Sequence, residues 1–110
     1  MEAVTRQLEI YMTMDGREPF SEWLDALKDL RGRAAIRARL ERVEDGNFGV
    51  TRPVGEGVLE LKVDFGSGYR VYYALDGPLI VLLLCGGDKR SQPKDIKLAK
   101  VYWADYKRRG

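Results

Sequence analysis

The chain has 110 residues, with 19 basic and 17 acidic side chains, one cysteine and no histidine. That length supports a single domain over residues 1–110, and 45% hydrophobic with 33% charged residues is a globular rather than a disordered composition. Cys85 has no partner for an internal disulfide and fits a reducing compartment. Without histidine, nearly every common zinc site and every Ser-His or Cys-His nucleophile pair is excluded, so no metal or other cofactor is expected. The longest apolar run, Leu79 to Cys85, falls far short of the roughly 18–20 residues a membrane helix needs. Met1 to Arg6 lacks the apolar segment of a signal peptide, which points to a cytoplasmic protein with no membrane association.

Charge is divided unevenly along the chain. Residues 1–30 carry 3 basic and 7 acidic groups (−4), 31–45 carry 5 and 3 (+2), 46–85 carry 3 and 4 (−1), and 86–110 carry 8 and 3 (+5). Such asymmetry suggests a polyanionic partner, although a solvated basic tail would give the same pattern.

Leu8, Ile10 and Met12 alternate within residues 4–12, which predicts a strand. Asp15-Gly16-Arg17 is a turn, and Pro19 suits the first position of a helix. Phe20, Trp23, Leu24, Leu27 and Leu30 form its apolar stripe. Gly32 interrupts, and a second helix resumes with Ile36, Leu40 and Val43, ending at Gly46-Asn47; its arginines 33, 37, 39 and 42 read by default as a solvated face. Leu59 to Phe65 alternates apolar and charged residues without exception, as a half-buried strand does. Gly66-Ser67-Gly68 turns the chain into a strand over Tyr69–Leu75, and Asp76-Gly77-Pro78 turns it again. Leu79–Cys85 shows no alternation and is placed as a central strand covered on both faces, closed by Gly86-Gly87-Asp88. The glycines 55 and 57 are assigned to turns. After Ser91-Gln92-Pro93 a last helix spans about Lys94 to Lys107, with Ile96, Ala99, Trp103 and Tyr106 inward. The order β-α-α-β-β-β-α predicts an α+β fold, a small antiparallel sheet with helices packed on it.

Pairing the two central strands about Ser67 places Asp64 opposite Arg70 and Lys62 opposite Tyr72, with Lys62 and Arg70 as diagonal neighbours on a polar face. Together they are suited to grip one phosphate. The basic tip Lys89-Arg90 approaches the same edge, and Tyr69 and Tyr72 are available for stacking on RNA bases. The plainer alternative is that Lys62 and Arg70 only offset Glu60 and Asp64 across an exposed sheet face.

Glu60-Leu61-Lys62, then Gly68-Tyr69-Arg70-Val71-Tyr72-Tyr73, then Gly86-Gly87-Asp88-Lys89-Arg90-Ser91-Gln92, with Asp95-Ile96 and Ala99 in the last helix, resembles the RelE/ParE toxin superfamily. Within it the chain is most similar to the HigB-like, phage-Gp49-like addiction-module killer proteins. The resemblance covers almost the whole chain, including Trp23-Leu24 and Gly46-Asn47. It implies a RelE-like microbial RNase-type fold and a type II toxin that enters the ribosomal A site, cuts messenger RNA without a metal and so inhibits translation. It also implies a cognate antitoxin, commonly with a helix-turn-helix DNA-binding domain. By this resemblance Arg70 is the strand arginine that contacts the scissile phosphate. Lys62 is the base or charge stabiliser, and Lys89 or Arg90 the basic residue after the last strand. Lys62, Arg70 and Lys89 are thus the catalytic candidates, with Glu60, Tyr69, Tyr72, Arg90 and Lys94 as RNA-binding candidates. Two positions depart from the RelE pattern. Glu60 stands in place of a second lysine, either as a general base or as a partner for a cation. The helix start, Gln92-Pro93-Lys94-Asp95, lacks the family's tyrosine or histidine general acid. A ParE-like DNA gyrase inhibitor, acting by protein binding without nuclease activity, is the alternative; a non-toxic binding module is a third reading.

Overall fold

The computed structural model describes residues 4–110. Eight elements follow one another: β1 (Gln7–Ile10), α1 (Pro19–Ala26), α2 (Leu30–Glu44), β2 (Thr51–Gly55), β3 (Val58–Val63), β4 (Tyr69–Asp76), β5 (Ile80–Asp88) and α3 (Gln92–Arg109). The strands form one sheet in the order β1-β5-β4-β3-β2. The expected α+β class and element order hold, with two differences. Strand β2 is additional to the expected order, and β1 pairs parallel to β5, Gln7 with Ile80 through Ile10 with Leu83, so the sheet is mixed rather than antiparallel. Strand β2 escapes pattern reading because Thr51-Arg52-Pro53-Val54-Gly55 lacks alternation and contains a proline, which an edge strand tolerates.

The helices cover both faces of the sheet. Phe20, Leu24, Ile36, Leu40 and Val43 of α1 and α2 pack on Leu61, Val63, Val71, Tyr73 and Leu83. Ala99 of α3, with Ile96, Tyr102 and Trp103, packs on Val58, Tyr72, Ala74, Leu82 and Leu84. The alternation of β3 and β4 therefore serves two cores, and the face expected to be polar and open lies under α3 over most of its length.

The break between the first two helices falls before Leu30 rather than at Gly32. Asp29 caps α2 by accepting from the Gly32 N–H at 2.9 Å and from the Tyr69 hydroxyl at 2.7 Å. Leu30 is exposed instead of belonging to the α1 stripe. Strand β5 also runs past its expected end, through both glycines to Asp88. Its pairing with β4 shifts between Tyr72 and Tyr73, so Leu84 and Cys85 both face the α3 side. Gly86 then meets the Trp23 indole and Gly87 meets Asp95, from opposite sides. A glycine pair inside a central strand is explained by these two close approaches.

A methyl group at Gly86 would overlap the Trp23 ring, so Gly86→Ala should destabilise the fold by about 1–3 kcal/mol, the usual cost of overpacking. Urea unfolding followed by tryptophan fluorescence would measure it, and an unchanged midpoint would contradict this packing.

Candidate functional site

Strands β3 and β4 pair Lys62 directly with Arg70 and Glu60 directly with Tyr72. The expected register, with Lys62 opposite Tyr72 and Asp64 opposite Arg70, is off by two residues because the turn is centred on Gly66 rather than Ser67. The observed register brings Lys62 and Arg70 face to face instead of diagonal. Asp64 lies just beyond the end of β3 and is exposed.

At the centre of the site is Glu60, only 4% exposed. Its Oε1 accepts from Arg52 Nε at 2.9 Å. Its Oε2 accepts from the Tyr72 hydroxyl at 3.0 Å and from Gln92 Nε2 at 2.8 Å. Arg70 Nε stands 3.9 Å from the same oxygen, close enough for charge attraction but too far for a hydrogen bond. Burial works against the ionised carboxylate, yet the hydrogen bonds from Gln92, Arg52 and Tyr72 outweigh it and hold the Glu60 pKa below the usual range. A carboxylate so occupied is a weak proton acceptor and a strong anchor for cations. Burial, then the bond to Glu60, raises the Tyr72 hydroxyl far above the ordinary phenol range, so it remains a donor.

Arg70 is largely enclosed, its side chain 11% accessible, in contrast to the open position expected for it. Among the described residues its Nε is a buried donor with no hydrogen-bond partner, a state shared by Arg6 Nε and Arg33 Nε. The guanidinium lines a cavity of about 210 Å³ together with Val50, Thr51, Arg52, Glu60, Lys62 and Gln92. Lys62 is exposed at its rim. The lining combines three cationic side chains, Arg52, Lys62 and Arg70, with one hydrogen-bond-saturated carboxylate. Its chemistry suits a phosphate or another oxyanion.

Glu60, Lys62 and Arg70 are thus brought together, and Tyr72 joins them as the buried hydroxyl that orients Glu60. Neither tyrosine offers a ring to a base: Tyr72 is fully buried, and Tyr69 lies on the opposite face, its hydroxyl on Asp29 and its ring edge-on to Trp23. Lys89 and Arg90 are exposed after β5, with Arg90 3.6 Å from Asp88, and neither lines the cavity. Lys94 faces outward on α3 beside Lys97 and Lys100. Two residues of the site carry no such signal in the sequence. Arg52 sits on the strand that pattern reading misses, and Gln92 stands out only as part of a helix start. At that start Asp95 is buried against Gly87, the register partner of Arg70, and accepts from Ser91 Oγ at 2.5 Å. Burial, reinforced by the charge of Asp88, raises the Asp95 pKa.

Among the described residues no group of acidic, histidine or cysteine side chains has the arrangement of a metal site, and no helix is long and apolar enough to cross a membrane.

The family defined as phage derived protein Gp49-like (DUF891) matches residues 22–106, which include every residue lining this cavity. The chain belongs to that family, which is associated with toxin–antitoxin systems. It is also 51% identical over 82 residues to an uncharacterized protein of Haemophilus influenzae, covering 74% of this chain and 83% of that protein.

Removing the Glu60 carboxylate would strand the Tyr72 hydroxyl and leave Arg70 without its counter-charge. Glu60→Ala should cost about 1–3 kcal/mol from the unpaired hydroxyl alone, whereas Arg52→Ala, at the exposed end of the pair, should stay within about 0.5 kcal/mol. The Glu60 pKa is lower folded than unfolded, so its contribution is whole above the ordinary glutamate pKa of about 4.3. It fades as pH falls through the depressed folded value. Chemical denaturation of wild type and Glu60→Ala between neutral and acid pH should show their stabilities converging only on the acid side.

Proposed function

We propose that this chain is the toxin of a type II toxin–antitoxin system and acts in the cytoplasm as a ribosome-dependent endoribonuclease on messenger RNA. The observation that carries this reading is the direct pairing of Lys62 with Arg70 beside a buried, unpartnered Arg70 Nε. Membership in a family associated with toxin–antitoxin systems supports it.

In the proposed reaction the 2′-oxygen of a nucleotide attacks its own 3′-phosphate. The bond from phosphorus to the 5′-oxygen of the next nucleotide breaks, leaving a cyclic phosphate and a 5′-hydroxyl. The 2′-hydroxyl proton leaves with solvent, and the departing 5′-oxygen takes one up. Negative charge grows on the phosphoryl oxygens, where the Arg70 guanidinium and the Lys62 ammonium stabilise it. A donor already fixed in place and shielded from water is worth about 10²–10³-fold in such a step. Glu60 is a positioning residue here: its oxygens are occupied, so it holds Arg52 and Arg70 rather than taking the 2′ proton. Lys89 and Arg90, outside the cavity, contribute to binding the ribosome or the flanking RNA. The partner is an antitoxin that covers the basic face and removes its steering charge; the helix-turn-helix domain expected of it rests on family resemblance alone.

Arg70→Ala should lower message cleavage in a translating extract by about 10²–10³-fold and relieve growth inhibition in a bacterial host. Circular dichroism would establish that the variant is folded, and a folded variant of full toxicity would sink the assignment. Cleavage should also survive EDTA where ribosome integrity is kept by polyamines. Growth arrest with intact messages and impaired supercoiling would instead identify a gyrase inhibitor.

A further inference from the structure

Arg39 belongs by pattern to a solvated helix face, yet it is only 6% exposed. Among the described residues its hydrogen-bonding partner is the Phe48 carbonyl, and no carboxylate pairs with it. A guanidinium cannot shed its proton, and a buried charge without a counter-ion is costly. Burial, and then the neighbouring charge of Arg42, lower its pKa, the direction expected of a cation lacking an anion. The arrangement is nevertheless built. Gly49, at φ +60°, lays its backbone against the guanidinium so closely that a Cβ there would force the Arg39 side chain to shift. The Phe48 carbonyl and Gly49 thus hold the guanidinium like a clamp.

Arg39 lines a groove of about 470 Å³ between α2 and β3, together with Arg42 and Lys62. Ala35 and Ala38 keep its α2 wall low, and Phe65 adds an apolar surface. Asp64 is its one carboxylate, so the lining carries three positive charges against one negative. Lys62 and Val50 also line the smaller cavity that holds Arg70, so the two spaces adjoin.

We propose that this groove is a second phosphate subsite, in which Arg39, Arg42 and Lys62 hold the RNA backbone next to the phosphate gripped by Arg70. The proposal rests on the RNA-cleaving reading above and extends it from one phosphate to a track. Cations in series beside an apolar wall fit a single strand, with phosphates on the arginines and a base or ribose on Phe65. The Arg39 charge is then neutralised by substrate, in keeping with the lack of a paired carboxylate among the described residues.

The test uses 2′-O-methyl RNA, which lacks the attacking hydroxyl, as a dinucleotide with one phosphate and as an octanucleotide. Wild type should bind the octamer far more tightly than the dimer. Arg42→Gln, at an exposed position that the fold tolerates, and Arg39→Met should lose most of that gain while binding the dimer normally. Gly49→Ala, which displaces the clamp, should behave likewise. The slope of log affinity against log salt for the octamer should fall by about 0.7 for each phosphate no longer held by a cation. Arg37→Gln removes an exposed α2 charge outside the groove and should match wild type. If Arg42→Gln and Gly49→Ala keep the full length-dependent gain, the subsite is overturned. It is equally overturned if they lose affinity for an acidic peptide and not for RNA. If the octamer gain depends on the groove but Arg70→Ala leaves dimer binding and cleavage untouched, the subsite stands and the catalytic reading falls.

Discussion

The Glu60 carboxylate is the tie on which the site depends. It stands on β3 and draws a donor from each element around it: Arg52 from β2, Tyr72 from β4 and Gln92 from the first turn of α3. Buried carboxylates are costly unless every oxygen is occupied, and here both are. The same bonds that make the ion tolerable fix the positions of the groups around the cavity. Arg70 is left a little too far from Glu60 to bond it, which keeps a charged donor oriented yet unspent. The fold thus gives up one hydrogen bond at this point, and that unmade bond is the feature most unlike a purely structural ion pair.

The sequence reveals periods better than neighbours. Alternation in Leu59–Phe65, the apolar run after Leu79 and the helical stripes of Phe20–Leu27 and Ile36–Val43 all correspond to observed elements. Alternation cannot say whether the second face of a strand is wet or covered, so Tyr72 looks available by pattern when α3 in fact seals it. Nor does it set register: a two-residue shift leaves every side chain on the same face, and only the turn geometry at Gly66 decides the partner. Lys62 and Arg70 are legible as a pair because they share a face. Arg52 is not, since a five-residue edge strand with a proline carries little pattern. Arg39 looks like its neighbours on α2, and only the loop folded over it sets it apart.

The uneven charge along the chain acquires a spatial meaning in the fold. Basic side chains from α2, β2, β3 and β4 line two hollows that meet at Val50 and Lys62, one against α2 and the other against the start of α3, while the lysines of α3 lie on another surface. The tally by segment conceals this, because Arg52, Lys62 and Arg70 all come from residues 46–85, whose net charge is −1. The groups that narrow the reading to a phosphate chemistry are the two enclosed arginines, Arg39 and Arg70. Their number is small, but a cation removed from water and left short of partners attracts an anion far more strongly than a surface lysine does.

The parallel pairing of β1 with β5 has a bearing on how the molecule assembles. Strands β2 to β5 form a meander of near neighbours, in which each pairing needs only a short turn. Strand β1 joins from the other end of the chain, Gln7 reaching Ile80 across most of the sequence. Closing so long a loop is entropically expensive and slows folding. The natural order of events places β1 last, after the central strands have made the edge it docks on. With four residues at the sheet margin, β1 is also a segment whose amide protons would exchange early with solvent, through local opening that leaves the Glu60–Arg70 site intact.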